Sequence, residues 1–197
     1  MKAIWDQRYS TEEYVYGKEP NGFLKEQLED FASAKILFIC EGEGRNAVYA
    51  ASLGMEVHAF DSSEEGKNKA MNLAKEKGVS INYQVGDALD IQYEPNSFDA
   101  VVSIYAHFPP EIRTQIHQKI STWIKPNGFF ILEAFNPLQL NYTSGGPKDA
   151  AMLYTMEMME GDFSGLKTKH LAYQKIELKE GKLHDGTAEV IRFLAKK

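Results

Sequence analysis

The sequence predicts an α/β protein, doubly wound and Rossmann-like, with a seven-stranded, mostly parallel sheet closed by a C-terminal antiparallel hairpin. Three observations carry this expectation. Apolar strand-like runs alternate with helical stretches from Lys35 onward, and each switch is marked by Gly, Pro or a capping residue. The last two strand-like runs are joined by a connection whose length suits a hairpin better than a helical crossover.

Taken in order, Lys35 to Cys40 reads as a buried strand, Arg45 to Leu53 as a helix stopped by Gly54, and Met55 to Phe60 as a second strand. Ser62-Ser63-Glu64-Glu65 matches a capping box that opens a polar helix running through Lys77, with Gly78 as its stop. Ile81 to Val85 is strand three and Phe98 to Ile104 strand four. Pro110 starts a helix whose Ile112, Ile116, Ile120 and Trp123 recur at helical spacing; Pro126-Asn127-Gly128 breaks it, and Phe129 to Phe135 is strand five. Asp149 to Met159 reads as a helix, and Leu171 to Leu178 with Ala188 to Ala195 form the closing hairpin. Parallel strands with helical crossovers place a ligand crevice beyond the carboxyl ends of the strands.

With 197 residues, 43% hydrophobic and 25% charged, the chain suits one domain spanning residues 1–197. A formal net charge of -6 argues against nucleic acid as a partner, since phosphate binding needs clustered Lys and Arg. The single cysteine, Cys40, has no partner for an internal disulfide and suits a reducing, cytoplasmic setting; it also excludes a multi-cysteine metal site, and His58, His117, His170 and His184 lack metal-ligand spacing and read as bystanders. Met1 to Arg8 has no apolar signal region, and no run reaches the ~18–20 apolar residues of a membrane span. Oligomeric state leaves no signal.

The chemistry-bearing segment is Ile36 to Asn46, an apolar strand running into Gly42-Glu43-Gly44 and then a helix. Gly42 to Ala47 satisfies G-x-G-x-x-G/A, and Asp61 follows Gly42 by 61 − 42 = 19 positions, where a carboxylate meets ribose hydroxyls. By itself this pattern also suits a nicotinamide-dependent oxidoreductase. Arg45 and Asn46 lie in the first helical turn, where a cation opposes the helix dipole at a cost of ~0.3–1 kcal/mol; Arg45 is therefore expected to meet a ligand or to pair with Glu41 or Glu43.

Glu41 to Ala50, Gly86-Asp87-Ala88, Phe98 to Ser103, Ile124 to Ile131, Trp5 to Tyr9, Tyr14 to Gly17 and Pro20-Asn21 together resemble class I S-adenosylmethionine-dependent methyltransferases, closest to the tellurite-resistance (TehB-like) small-molecule branch. The resemblance covers nearly the full length. It departs where the family carries an acid and a first glycine and this chain has Phe38 and Cys40, with Glu41 displaced into the turn. It implies S-adenosyl-L-methionine as cofactor, with Glu41, Gly42 and Gly44 at the methionine portion, Asp61 at the ribose, Asp87 and Ala88 at the adenine, and Glu43, Arg45, Asn46 and Ser62 among the further cofactor-binding residues. It further implies that the strand-four exit faces the transferred methyl, with Tyr105 lining the cofactor and His107 available as a base. Residues 1–31 would form a helical lid in which Tyr9, Tyr14 and Tyr16 offer aromatic faces to a sulfonium, with Lys148 at the rim for an anionic acceptor.

The implied activity is methyl transfer to a small molecule by in-line displacement, which needs alignment rather than a nucleophilic side chain. This agrees with the absence of a Walker loop, a zinc helix or a G-x-S-x-G elbow. The alternatives are the nicotinamide enzyme and a non-catalytic binder of the same cofactor.

Overall fold

The computed structural model describes residues 2–29, 31 and 33–197. Met1, Asp30 and Ala32, which the expected domain 1–197 includes (the first two also falling in the expected lid, 1–31), lie outside the described residues. Helices α1 (Lys2–Tyr9) and α2 (Gly22–Leu28) precede β1 (Lys35–Ile39), α3 (Arg45–Ser52), β2 (Glu56–Asp61), α4 (Glu64–Lys77), β3 (Asn82–Val85) and β4 (Phe98–Ile104). Then come α5 (Pro110–Trp123), β5 (Ile124–Phe135), two 3₁₀ turns (Pro137–Asn141 and Ala150–Met152), α6 (Met156–Asp162), β6 (Lys167–Lys179) and β7 (Asp185–Lys196).

One seven-stranded sheet runs β3-β2-β1-β4-β5-β7-β6. The pairs from β3 to β5 are parallel and the two made by β7 are antiparallel. The expected doubly wound sheet with its closing hairpin is the observed one. Strand β1 reads Lys-Ile-Leu-Phe-Ile because it lies between β2 and β4 and is covered on both faces. Its Ile36 and Phe38 pack with α2, α3 and α4, whereas Leu37 and Ile39 pack with Ile116, Ile120 and Trp123 of α5. The chain order reverses between β1 and β4, so the crevice opens past Ile39 and Ile104.

Three local expectations change. The stretch read as one helix from Asp149 to Met159 is split, because Leu153 and Tyr154 are fully buried in extended backbone and Thr155 caps a new helix through the Met158 N–H. Pro126-Asn127-Gly128 does not precede β5 but lies within it as an irregularity, between the pairs Phe98–Ile124 and Ala100–Phe129. The cap of α4 is Ser63, whose Oγ accepts from Gly66 N–H; Asp6 of α1 accepts from Ser63 Oγ and Glu64 N–H where the expected capping box would have used Glu65.

Candidate active site

At the switch point lies a cavity of ≈ 400 Å³, within the size range of small-molecule sites. One wall is the turn after β1. Gly42 has φ +62°, and a Cβ there would come within 2.5 Å of the Tyr9 hydroxyl; Gly44 has φ +87°, and a Cβ there would come within 2.5 Å of Ala70 Cβ on α4. The first glycine admits the strap at the amino end, and the second lets α3 and α4 pack closely.

Glu41 spends Oε1 on the N–H groups of Asn46 and Ala47 at the start of α3 (2.9 and 2.8 Å), and the Asn46 side chain also supports its carboxylate. Burial raises its carboxyl to about 7, opposed by those amides and by Arg45. Asp61, at the end of β2, accepts from Gly42 N–H (3.1 Å) and Ser63 N–H (2.9 Å); burial lifts it to about 6 against those same hydrogen bonds. Both acids, together with Ser62, Gly86, Asp87 and Ala88, line the cavity. Asp87 is exposed and also shapes its own loop, its Oδ1 accepting from Leu89 N–H.

Glu43 lines the cavity but acts as a clasp: its carboxylate accepts from the N–H groups of Val15 and Tyr16 (3.2 Å each) and from Lys69 Nζ (2.8 Å). Tyr9 and Tyr16 line the cavity edge to face, with ring centroids 6.4 Å apart. Tyr14, expected beside them, is outside the cavity lining; its hydroxyl donates to Lys69 O on α4, and Lys18 and Lys69 cover its ring. Lys148 lies at the exposed rim as expected.

Behind the opposite wall a buried polar network joins side chains distant in sequence, of which Tyr105 and Arg45 reach the cavity. Glu133 on β5, 0% exposed, accepts from Tyr105 OH (2.7 Å), Asn21 Nδ2 (2.6 Å) and Arg192 Nε (2.6 Å). Asn21 also donates to Glu180 Oε1 and caps α2, and its own N–H donates to Asn46 Oδ1. Arg45 does not pair with Glu41 or Glu43: it donates to Glu180 Oε2 (2.9 Å) and to Tyr16 O (3.1 Å). Burial raises Glu180, and the His184 hydrogen bond together with Arg45 outweighs it, so its carboxyl is held at about 2. Tyr105 therefore presents a ring stacked on Phe135 rather than a free phenol, and burial with Glu133 beside it keeps that phenol protonated.

His107 has a different role from the expected base. Its Nδ1 lies 2.7 Å from Met152 O, its Nε2 accepts from Phe135 N–H at 3.2 Å, and burial pushes its pKa down to about 4. With both nitrogens engaged, it is a neutral latch tying the β4 exit to β5 and the 3₁₀ turn. His184, read as a bystander, instead lines the cavity with Phe135 and Met152. The same sequence reading gave no role to Asn21, which it named only in the Pro20-Asn21 motif, and missed Glu133 and Glu180, hinted at only by the strand-ending position of the first and the hairpin position of the second.

The fold is the architecture shared by solved S-adenosylmethionine-dependent methyltransferases, in line with the resemblance. Residues 36–128 match the family model described as a methyltransferase domain. The chain is 33% identical over 119 residues to a ubiquinone biosynthesis O-methyltransferase of Colwellia psychrerythraea, covering 59% of this chain and 44% of that protein. It spans about half the length of the curated relatives it matches. Among solved structures, the TehB protein of Haemophilus influenzae superposes with a TM-score of 0.74 at 16% identity, covering 100% of this chain and 66% of that one. A structure described as "Conversion of a Disulfide Bond into a Thioacetal Group during Echinomycin Biosynthesis" superposes with a TM-score of 0.82 at 13% identity, covering 100% and 91%. Likeness at such identities shows shared architecture. Among the described residues no helix is long and apolar enough to cross a membrane.

Proposed function

We propose that this chain transfers a methyl group from S-adenosylmethionine to a small-molecule acceptor. The observation that carries the reading is a single cavity whose one wall sets two carboxylates, Glu41 and Asp61, around a glycine turn, while its other wall is aromatic and apolar. The bound cofactor supplies an electrophilic methyl on a positively charged sulfur.

In this reading Glu41 Oε2 takes the ammonium of the methionine portion, because its partner oxygen already caps α3. Asp61 accepts from the ribose hydroxyls, held in place by Gly42 and Ser63. Asp87 and Ala88 border the adenine, and Tyr9 and Tyr16 close the strap and exclude water. Ile112, Ile116, Phe108 and Met152 form the acceptor side, an apolar lining that favours an uncharged, compact acceptor, and Lys148 stands where an anionic group would reach the rim. Displacement in line rests on alignment, worth several orders of magnitude in rate, and calls for a base only where the acceptor must first lose a proton. The ubiquinone-pathway relatives support a small-molecule acceptor.

Calorimetric titration of the purified protein with S-adenosylmethionine and S-adenosylhomocysteine tests the first half. A folded sample that gives no heat with either overturns it; NADH fluorescence enhancement would point to the nicotinamide enzyme instead. Release of S-adenosylhomocysteine in the presence of a panel of phenols, thiols and amines tests the second half. Tight cofactor binding without turnover on any acceptor favours a non-catalytic binder.

A further inference from the structure

His184 sits at the tip of the β6–β7 hairpin, 6% exposed, with its backbone N–H donating to Gly181 O and its carbonyl accepting from Glu180 N–H. The hairpin tip packs directly on the amino-terminal strap: a Cβ on Gly181 would come within 2.4 Å of Val15 O. The imidazole is boxed by Tyr16 (4.5 Å between centroids), Tyr105 (4.6 Å) and Phe135 (5.3 Å), all of which line the cavity. Its Nδ1 lies 3.4 Å from Glu180 Oε2, and Glu180 is itself held by Arg45 and Asn21. Among the described residues Nε2 has no hydrogen-bond partner, and the Nε2–Cδ2 edge faces Gly145, beside the cavity-lining Gly146 and Pro147.

A nearly buried, carboxylate-oriented imidazole with one unspent nitrogen at a small-molecule cavity has the arrangement of a general base. We infer that His184 removes the proton from an acceptor that carries an acidic O–H or S–H, a phenol or thiol, with Glu180 as its positioning residue. This rests on the methyl-transfer reading above. The proton passes from the acceptor to Nε2, and the bonding pair stays on the acceptor atom and forms the new bond to the methyl carbon. The old C–S pair leaves on sulfur as a thioether. One positive charge is present before and after: it ends on the imidazolium, beside the Glu180 carboxylate.

Charge around the ring is set from several elements. Burial lowers the His184 pKa, Glu180 opposes that, and Arg45 of α3 and Arg8 of α1 add to the lowering; His107, Tyr16 and Tyr105 face it as neutral groups near pH 7. The ring is thus unprotonated near neutrality, the form a base requires.

Three measurements on the full chain test this. Diethyl pyrocarbonate at pH 7, with peptide mapping, should modify His184 at least tenfold faster than His107 or His117; a folded protein in which His184 resists as they do overturns the inference. His184→Asn keeps an N–H donor for Glu180 but no base. It should bind S-adenosylhomocysteine within about twofold of wild type while S-adenosylhomocysteine release with the phenol and thiol panel falls ~10²–10⁴-fold and the acidic limb of the pH–rate profile disappears. Equal rates, or an unchanged limb, sink it. Glu180→Gln should move that limb to lower pH, because the carboxylate that favours imidazolium is gone; a limb that stays put removes Glu180 from the role. Loss of S-adenosylhomocysteine binding by wild type would instead refute the underlying reading, and should no panel acceptor turn over, the modification pattern decides.

Discussion

The two walls of the cavity are built on different principles. The β1–α3 wall is built on backbone: two left-handed glycines, the first N–H groups of a helix held by Glu41, and Asp61 holding the turn through Gly42 N–H from the end of the next strand. The opposite wall is side chain, braced from behind by a buried polar network. Its bonds span Asn21 to Glu133, Arg45 to Glu180 and Asn21 to Glu180, separations of 112, 135 and 159 residues. A wall made of local backbone suits a ligand that is always the same, whereas a wall assembled from remote side chains is free to change with the acceptor.

Breaking the side-chain wall should have the largest effect. Glu133→Ala leaves Arg192, Asn21 and the Tyr105 hydroxyl without their shared acceptor in a site closed to water, and removing one member of a buried ion pair costs ~3–5 kcal/mol. Urea unfolding should show that loss, while the folded fraction at low denaturant binds S-adenosylhomocysteine with near-native affinity. A variant as stable as wild type would mean that the wall does not hold the strap, the sheet and the hairpin together.

Breaking the backbone wall should give the converse pattern. Asp61→Asn keeps the shape and one acceptor oxygen but loses the charge, and a hydrogen bond to a charged group is worth ~1.5–3 kcal/mol. Cofactor affinity should fall ~10–150-fold by calorimetry, with a smaller change in stability because the group is already strained by burial, as its pKa of about 6 shows. Unchanged affinity would remove the ribose role.

The same contrast explains what was legible in the sequence. The parallel strands and the turn from Cys40 to Asn46 follow from short-range rules of apolar runs and glycine conformation, and they are where they were expected. Tyr14 and His107 were misread because a residue near a site in sequence is not thereby turned toward it: Tyr14 reaches over α4, and His107 is consumed by Met152 O and Phe135 N–H. His184 and Glu180 were overlooked because nothing local marks them. They gain meaning only when β7 inserts between β5 and β6 and carries the hairpin tip onto Arg45. The splitting of the expected Asp149–Met159 helix has a similar origin, since burial of Leu153 and Tyr154 overrides local helical preference.

A smaller effect tests how the backbone wall holds charge. Glu41 in the free protein has its carboxyl at about 7, so ionising it disfavours the folded state between its unfolded value near 4.5 and about 7. A cationic ligand at Oε2 prefers the ionised form, so affinity should rise as pH increases, by about tenfold between pH 6 and pH 8, and then level off. Calorimetry in buffers of different ionisation heat should detect the proton released on binding, and Glu41→Gln should weaken binding and flatten the profile. An affinity that falls with rising pH excludes Glu41 as the partner of the ammonium.

The smallest effect concerns the departure from the family pattern. Phe38 stands where the pattern of the resemblance has an acid, and it is buried in the core with Ala47, Ala50, Ala70 and Leu73. Cys40 stands where that pattern has glycine, and its φ of +49° is left-handed, which costs a non-glycine residue ~1–2 kcal/mol. Cys40→Gly removes that strain. Against it stand ~0.5–1 kcal/mol of backbone entropy and roughly another 1 kcal/mol of apolar contact, since the thiol packs against the α5 side of the core. The terms cancel, so Tm should shift by no more than ~2–3 °C and cofactor affinity should stay the same. Cys40→Val, with a β-branched side chain at positive φ, should lose stability by ~1–2 kcal/mol. If glycine stabilises by several kcal/mol, the backbone wall is strained at its first residue and the comparison between the two walls must be redrawn, because strain would then reside in the local wall rather than in the remote one.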